Sequence, residues 1–229
     1  MDYTKKTEKW YGKDISTHGN LSRLLPMEAG MQKRFLDEEG LIQDSFRLGV
    51  QIYESGFRPT FIVGLWRGGS SVGIYVQECL QTLGIETNHI SLRTSYRGQP
   101  SYHAMVAAAE TSIRVHGTQY LLENLNAHDS LLLVDDVFST GKSMAAVISR
   151  LNRHLKRNMP EHVKIATLYE RPSFRTTKIR PDFVQHRTED WLVFPYEMNG
   201  LTIDEIRRHK PYLLPLIDPD YQDEVSFNK

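Results

Sequence analysis

Apolar positions along the chain group into short runs and helical faces rather than one long stretch. From Phe35 to Glu54, Leu41, Phe46, Leu48, Val50, Ile52 and Tyr53 supply a helical apolar face, and Gly56 provides a stop. Thr60-Phe61-Ile62-Val63-Gly64 is a β-branched and aromatic run that predicts a buried strand. A glycine-bearing loop, Trp66 to Ser71, precedes a helix predicted over Val72–Leu83, with Gly84 at its end. Further strands are predicted at Asn88–Leu92, Ser130–Val134 and Val163–Tyr169, with short ones at Asp182–Val184 and Trp191–Phe194. Another helix is expected from Lys142 to Arg157. Residues 93–127 carry no sustained pattern apart from a helix expected around Met105–Ile113. So long a patternless segment inside a domain is usually functional or mobile.

Strands alternating with helices predict an α/β fold, a parallel sheet covered on both faces. Ligands of such sheets bind at the carboxyl ends of the strands, so the residues just after each strand matter most. Residues 1–34 are polar and irregular and read as an N-terminal extension. Residues 35–200 form the main domain and 201–229 a C-terminal tail. In the tail Leu213, Leu214, Leu216 and Ile217 stand near Pro211 and Pro215, a cluster to pack on its own core or on a neighbouring subunit.

Charge narrows the function. Lys plus Arg number 28 and Asp plus Glu 28, so the net charge is zero. That argues against a broadly basic nucleic-acid binder, because such proteins need surplus cations to displace counterions, and leaves room for a local basic patch. The single cysteine, Cys79, rules out an intramolecular disulfide and sits among Val76 and Leu80 as a small buried hydrophobe. No apolar run approaches the ~20 residues that span a bilayer. Met1 to Trp10 is charged and has no apolar core, so no secretory signal is expected and the cytoplasm is the default compartment. The nine histidines show no metal-ligand spacing.

The most informative stretch runs from Leu131 to Ser143. Four apolar residues make a strand, and Asp135 and Asp136 emerge at its end. Ser139-Thr140-Gly141-Lys142-Ser143 then opens a helix. Loop amides and a helix N-terminus hold a phosphate, since unpaired N–H groups point at it and the dipole favours negative charge. A nucleotide-hydrolase P-loop would need glycine five residues before Gly141, and that residue is Asp136. Two carboxylates beside a phosphate cradle suit a ligand with a phosphate at one end and a pair of hydroxyls at the other, such as a ribose 5-phosphate.

On these residues the sequence resembles the type I phosphoribosyltransferases, whose signature is a hydrophobic strand, two acids, a short spacer and Thr-Gly. The resemblance covers roughly residues 37–200 and implies the type I phosphoribosyltransferase fold, a central parallel sheet flanked by helices with a small hood. It implies that Asp135 and Asp136 hold the ribose hydroxyls of 5-phosphoribosyl 1-diphosphate, and that Ser139, Thr140, Gly141, Lys142 and Ser143 hold its 5-phosphate. Arg67, Gly68 and Gly69 are similar to the loop that contacts pyrophosphate, and the resemblance implies a cis peptide at Trp66–Arg67. Ser95-Tyr96 is similar to the Ser-Tyr of the mobile catalytic loop in the purine enzymes. Arg171 and the run Trp191-Leu192-Val193-Phe194-Pro195-Tyr196-Glu197 look like the base-binding section of the 6-oxopurine enzymes. By that likeness Trp191 stacks the base, Leu192 offers backbone groups to its edge and Glu197 joins Asp135 and Asp136 in binding Mg2+. A homodimer or homotetramer is the family expectation.

Two positions depart from the 6-oxopurine pattern. Ser139 stands where those enzymes usually have an aspartate, and Arg171 where they usually have a lysine. A serine is no general base at neutral pH without an activator. The expected activity is phosphoribosyl transfer to a nucleobase, with a 6-oxopurine as acceptor. The alternatives are a non-purine acceptor and a non-catalytic regulatory protein that binds the diphosphate or a nucleotide.

Overall fold

A computed structural model describes residues 33–96 and 113–217. They fall into two compact units, one closing at Tyr196 and the other opening at Glu197.

In the first unit, β1 (Lys33–Phe35) leads into α1 (Glu38–Glu54), then β2 (Phe61–Trp66), α2 (Gly68–Thr82), β3 (Asn88–Tyr96) and β4 (Ile113–His116). There follow α3 (Gln119–Asn124), β5 (Ser130–Phe138), α4 (Lys142–Leu155), β6 (His162–Glu170), β7 (Phe183–Arg187) and β8 (Trp191–Val193). The main sheet has six strands in the order β4-β3-β2-β5-β6-β7. Every pairing is parallel except β3 with β4. β1 and β8 form a separate two-stranded parallel sheet.

Alternation along the strands divides the core in two. Ile62, Leu132, Val134 and Leu168 face one way and pack with Leu48 and Ile52 of α1 and Val72, Val76 and Leu80 of α2. Val63, Leu131, Leu133 and Ile165 face the other way, against Leu121 of α3 and Met144, Val147 and Leu151 of α4. Helices therefore cover both faces, which is why β2 and β5 are apolar at consecutive positions. Cys79 of α2 is buried beside Gly49 of α1, and burial raises its thiol pKa.

Several elements differ from the sequence expectation, each for a tertiary or capping reason. Phe35 belongs to β1, and the helix starts at Glu38 because the Asp37 carboxylate accepts the Gly40 N–H at 2.6 Å. β1 pairs with Trp191–Val193, a partner more than 150 residues away that no local pattern announces. α2 begins at Gly68, so the glycine loop is the helix's first turn. β5 runs on through both aspartates to Phe138, carried by parallel pairing with β6 as far as Glu170. Of the helix expected around Met105–Ile113, residues 105–112 lie outside the described residues and Ile113 opens β4.

In the second unit, α5 (Ile203–His209) carries a capping box. Thr202 Oγ1 accepts the Glu205 N–H at 3.2 Å, and the Glu205 carboxylate accepts the Thr202 N–H at 2.8 Å. A 3-10 turn (Pro211–Leu213) and α6 (Leu214–Ile217) follow. The Lys210 ammonium donates to the Glu197 carbonyl at 2.5 Å. Among the described residues no helix is long and apolar enough to cross a membrane.

Candidate functional site

The strand order reverses between β2 and β5: the chain leaves β2 toward β3 on one side and leaves β5 toward β6 on the other. Such a switch point opens a crevice at the carboxyl ends of the strands. Two loops line it, Trp66–Gly69 after β2 and Ser139–Ser143 after β5.

At the first loop the Trp66–Arg67 peptide bond is cis, and α2 starts at once. Trp66 and Arg67 are exposed while Gly68 and Gly69 are buried. The two glycines have a steric reason. A Cβ on Gly68 would run into the Asp136 carboxylate and the Tyr196 hydroxyl. One on Gly69 would come within 2.8 Å of the Asp135 Cα and 3.0 Å of its Oδ1. Without side chains, the first turn of α2 closes directly onto the acidic end of β5. The Arg67 guanidinium lies 5.8 Å from the centre of the Tyr196 ring.

On the β5 side the two carboxylates are tightly placed. Asp135 Oδ1 accepts the Asp136 N–H at 3.1 Å, and Asp136 Oδ1 accepts the Val137 N–H at 2.8 Å. Asp136 Oδ2 accepts the Tyr196 hydroxyl at 2.5 Å. Burial pushes the Asp135 carboxyl well above the usual carboxylate range, and the charge of Asp136 adds to the rise. That repulsion is what a divalent cation or a pair of hydroxyl donors would relieve. No group of three or more His, Cys, Asp or Glu side chains among the described residues is arranged to hold a metal ion. The adjacent pair suits Mg2+, which commonly takes one or two carboxylates and completes its shell with water and substrate phosphates.

The loop that follows, Ser139–Ser143, brings hydroxyl side chains to the start of α4. Gly141 adopts a left-handed φ of 77° and caps α4. Ser139 and Thr140 are buried. Thr140 Oγ1 accepts the Lys142 N–H at 3.3 Å, and the Thr140 carbonyl accepts the Thr176 N–H at 3.1 Å. Ser139 Oγ and Thr177 Oγ1 are buried without a hydrogen-bond partner among the described residues. Thr177 Oγ1 stands where a Cβ on Gly141 would go. A buried hydroxyl left unpaired costs about 1–3 kcal/mol, so a ligand oxygen here would recover that energy.

A third element, the end of β6, lies beside the cradle. The Arg171 N–H donates to the Phe138 carbonyl at 2.9 Å, which sets Arg171 next to Ser139. Its Nη2 donates to the Glu189 carbonyl at 3.0 Å. The guanidinium carbon lies 3.8 Å over the Phe174 ring and 5.8 Å from the Trp191 ring. Arg171 and Trp191, distant in sequence, thus share one place. Trp191 is half-buried, whereas Leu192 is buried and pairs with Arg34 across β1 and β8.

Ser95 and Tyr96 close β3, and the Ser95 hydroxyl lies 2.8 Å from His116 Nε2 at the end of β4. His116 is therefore a strand residue. His103 and the segment 97–112 lie outside the described residues. Glu197 opens the second unit.

Three residues at the site escaped sequence reasoning: Phe174, Thr177 and Tyr196. Tyr196 was part of the run Trp191–Glu197, but nothing local says that its hydroxyl reaches a carboxylate 60 residues away.

A family model described as the phosphoribosyl transferase domain matches residues 31–199. A hypoxanthine-guanine phosphoribosyltransferase from Lactococcus lactis subsp. lactis is 22% identical over 190 residues, covering 82% of this chain and 92% of that protein. Among solved structures, a purine phosphoribosyltransferase from Pyrococcus horikoshii aligns with a TM-score of 0.53 at 24% identity, over 72% of this chain and 95% of its own. A Neisseria gonorrhoeae protein solved with bound ppGpp aligns with a TM-score of 0.62 at 17% identity, over 81% and 99%. At these identities the structural likeness establishes the fold.

Proposed function

The chain belongs to the phosphoribosyl transferase domain family and is a phosphoribosyltransferase, and from that premise we propose that it transfers 5-phosphoribosyl from its 1-diphosphate to a 6-oxopurine. Pyrophosphate is released, and the product is a nucleotide made from a preformed base, a salvage reaction. The observation that carries this reading is the convergence at one switch point of the Asp135–Asp136 pair, the Ser139–Ser143 loop and the Arg171–Trp191 pair.

Each part has a physical task. Asp135 and Asp136 accept hydrogen bonds from the ribose hydroxyls and so fix the sugar. The amides of 139–143, with the hydroxyls of Ser139, Thr140 and Ser143, take the 5-phosphate at the N-terminus of α4. Lys142 adds a positive charge beside it. Arg67 supplies a planar fork to the diphosphate oxygens, with the first-turn amides of Gly68 and Gly69 behind it. Trp191 offers a flat indole face to the base, Arg171 donates to its exocyclic 6-oxo oxygen, and the Leu192 backbone meets the base edge. In the step itself the bond from the anomeric carbon to the diphosphate oxygen breaks with its electron pair leaving on the diphosphate, a bond to a base nitrogen forms, and the proton of that nitrogen is released to solvent. The sugar passes through an oxocarbenium-like state that water would capture, so Ser95 and Tyr96 are assigned to its protection. Mg2+ held at Asp135 and Asp136 would neutralise charge on the departing diphosphate.

The test is pyrophosphate release by the purified protein with Mg2+ and 5-phosphoribosyl 1-diphosphate, across guanine, hypoxanthine, xanthine, adenine, uracil and orotate. Release with a 6-oxopurine supports the reading. Release with another base moves the acceptor and keeps the chemistry. Silence across the panel overturns the acceptor assignment.

A further inference from the structure

The Tyr196 hydroxyl and the Asp136 carboxylate form the shortest side-chain link at the switch point, 2.5 Å. A carboxylate has about four lone-pair sites. At Asp136 one is taken by the Val137 N–H and one by Tyr196, and both bonds restrain rotation of the group. The two remaining sites match a vicinal diol.

The tyrosine is itself held from below. Its ring stacks on Phe194 with centroids 5.4 Å apart and planes 13° from parallel. Phe194 is buried and meets Tyr169 edge-on at 6.0 Å. A column of rings thus rises from the core to the crevice. At its top, the Tyr196 ring faces the other half of the site, because the Arg67 guanidinium lies over it, 5.8 Å from its centre. Gly68 leaves the space that the hydroxyl occupies.

We propose that Tyr196 is a positioning residue with two separable parts. Its hydroxyl fixes the Asp136 carboxylate so that the remaining lone pairs meet the ribose diol, and its ring face supports the Arg67 guanidinium for the diphosphate. The inference rests on the phosphoribosyl-transfer reading and adds a residue to it.

The two parts make different predictions. Tyr196→Phe keeps the ring and loses the hydroxyl. Its Kd and KM for 5-phosphoribosyl 1-diphosphate should rise about tenfold, the usual cost of one hydrogen bond to a charged group. The KM of the base should stay, and so should competitive inhibition by pyrophosphate, which has no diol. Tyr196→Leu loses the ring too and should weaken pyrophosphate inhibition as well as diphosphate binding. A general loosening of the fold would move every constant together, and thermal melting of each variant checks for it. Unchanged diphosphate binding in Tyr196→Phe overturns the proposal. So does a loss of pyrophosphate affinity in Tyr196→Phe equal to the loss of diphosphate affinity. Calorimetry on the wild-type protein separates the two levels: no binding of the diphosphate there overturns the transfer reading and this inference with it.

Discussion

Gly68 stands so close to Asp136 that a β-carbon on the first would overlap the carboxylate of the second. Main chain of one strand-end loop therefore packs against an acidic side chain of the next, and the two halves of the crevice are coupled by contact. Gly68→Ala should push Asp136 or the first turn of α2 aside. Overpacking of this kind costs about 1–3 kcal/mol of stability. A displacement near 1 Å at a reacting centre costs on the order of 100-fold in rate. We expect kcat/KM to fall by about that factor while circular dichroism stays native. Full activity in Gly68→Ala would show that the contact does not constrain Asp136.

Asp136→Ala should abolish turnover and leave the fold intact. Stability should drop by about 1–3 kcal/mol, because the Val137 N–H and the Tyr196 hydroxyl lose their acceptor. Pyrophosphate release and a denaturant melt on one preparation read both effects. Wild-type rates would remove Asp136 from the site.

Ser139→Ala should separate stability from binding. Its hydroxyl is buried and has no partner among the described residues, so losing it should change the apo melting temperature little or raise it. If the hydroxyl meets the 5-phosphate, the Kd of 5-phosphoribosyl 1-diphosphate rises about tenfold, the cost of one charge-assisted bond. The shift in melting temperature on adding ligand would shrink accordingly. An unchanged shift places the phosphate elsewhere.

Asp135 gives a pH signature. Its carboxyl is pushed above the ordinary value of 3.8 by burial and by Asp136. Between the unfolded and folded values the native protein holds a proton that the unfolded chain has released. Stability therefore declines as pH rises through that window, and the loss persists above it. Asp135→Asn has no such proton to lose. Without Mg2+ and ligand, its melting temperature should fall less steeply above pH 4 and exceed the wild-type value at neutral pH. Parallel curves for the two proteins would contradict the raised carboxyl.

Trp191→Ala tests the base side. Stacking of a base on an aromatic ring is worth about 1–3 kcal/mol by alanine substitution. The KM of the acceptor should rise roughly tenfold, with the KM of the diphosphate unchanged. A rise confined to the diphosphate would move the base away from Trp191.

Local chemistry was legible from the order of residues alone. Leu131 to Ser143 is contiguous, so strand, acids and hydroxyl-rich loop were legible together. The alternation of strands and helices named the fold class, because binary pattern follows backbone period. Tertiary structure decided the rest, and the reason is distance along the chain. Asp135 and Asp136 lie inside β5 because β6 pairs with Asp135 and, beyond Asp136, with Val137 and Phe138, not because of their own propensity. Gly68 and Gly69 read as a loop since glycine is a poor helix former, yet burial against β5 makes them the first turn of α2. β1 exists only through its partner at Trp191–Val193. Arg171 and Trp191 meet, and Tyr196 reaches Asp136, across sequence separations of 20 and 60 residues that carry no periodic signal. A side chain's type is written in the sequence; which other side chain it touches is set by how the sheet and its helices pack.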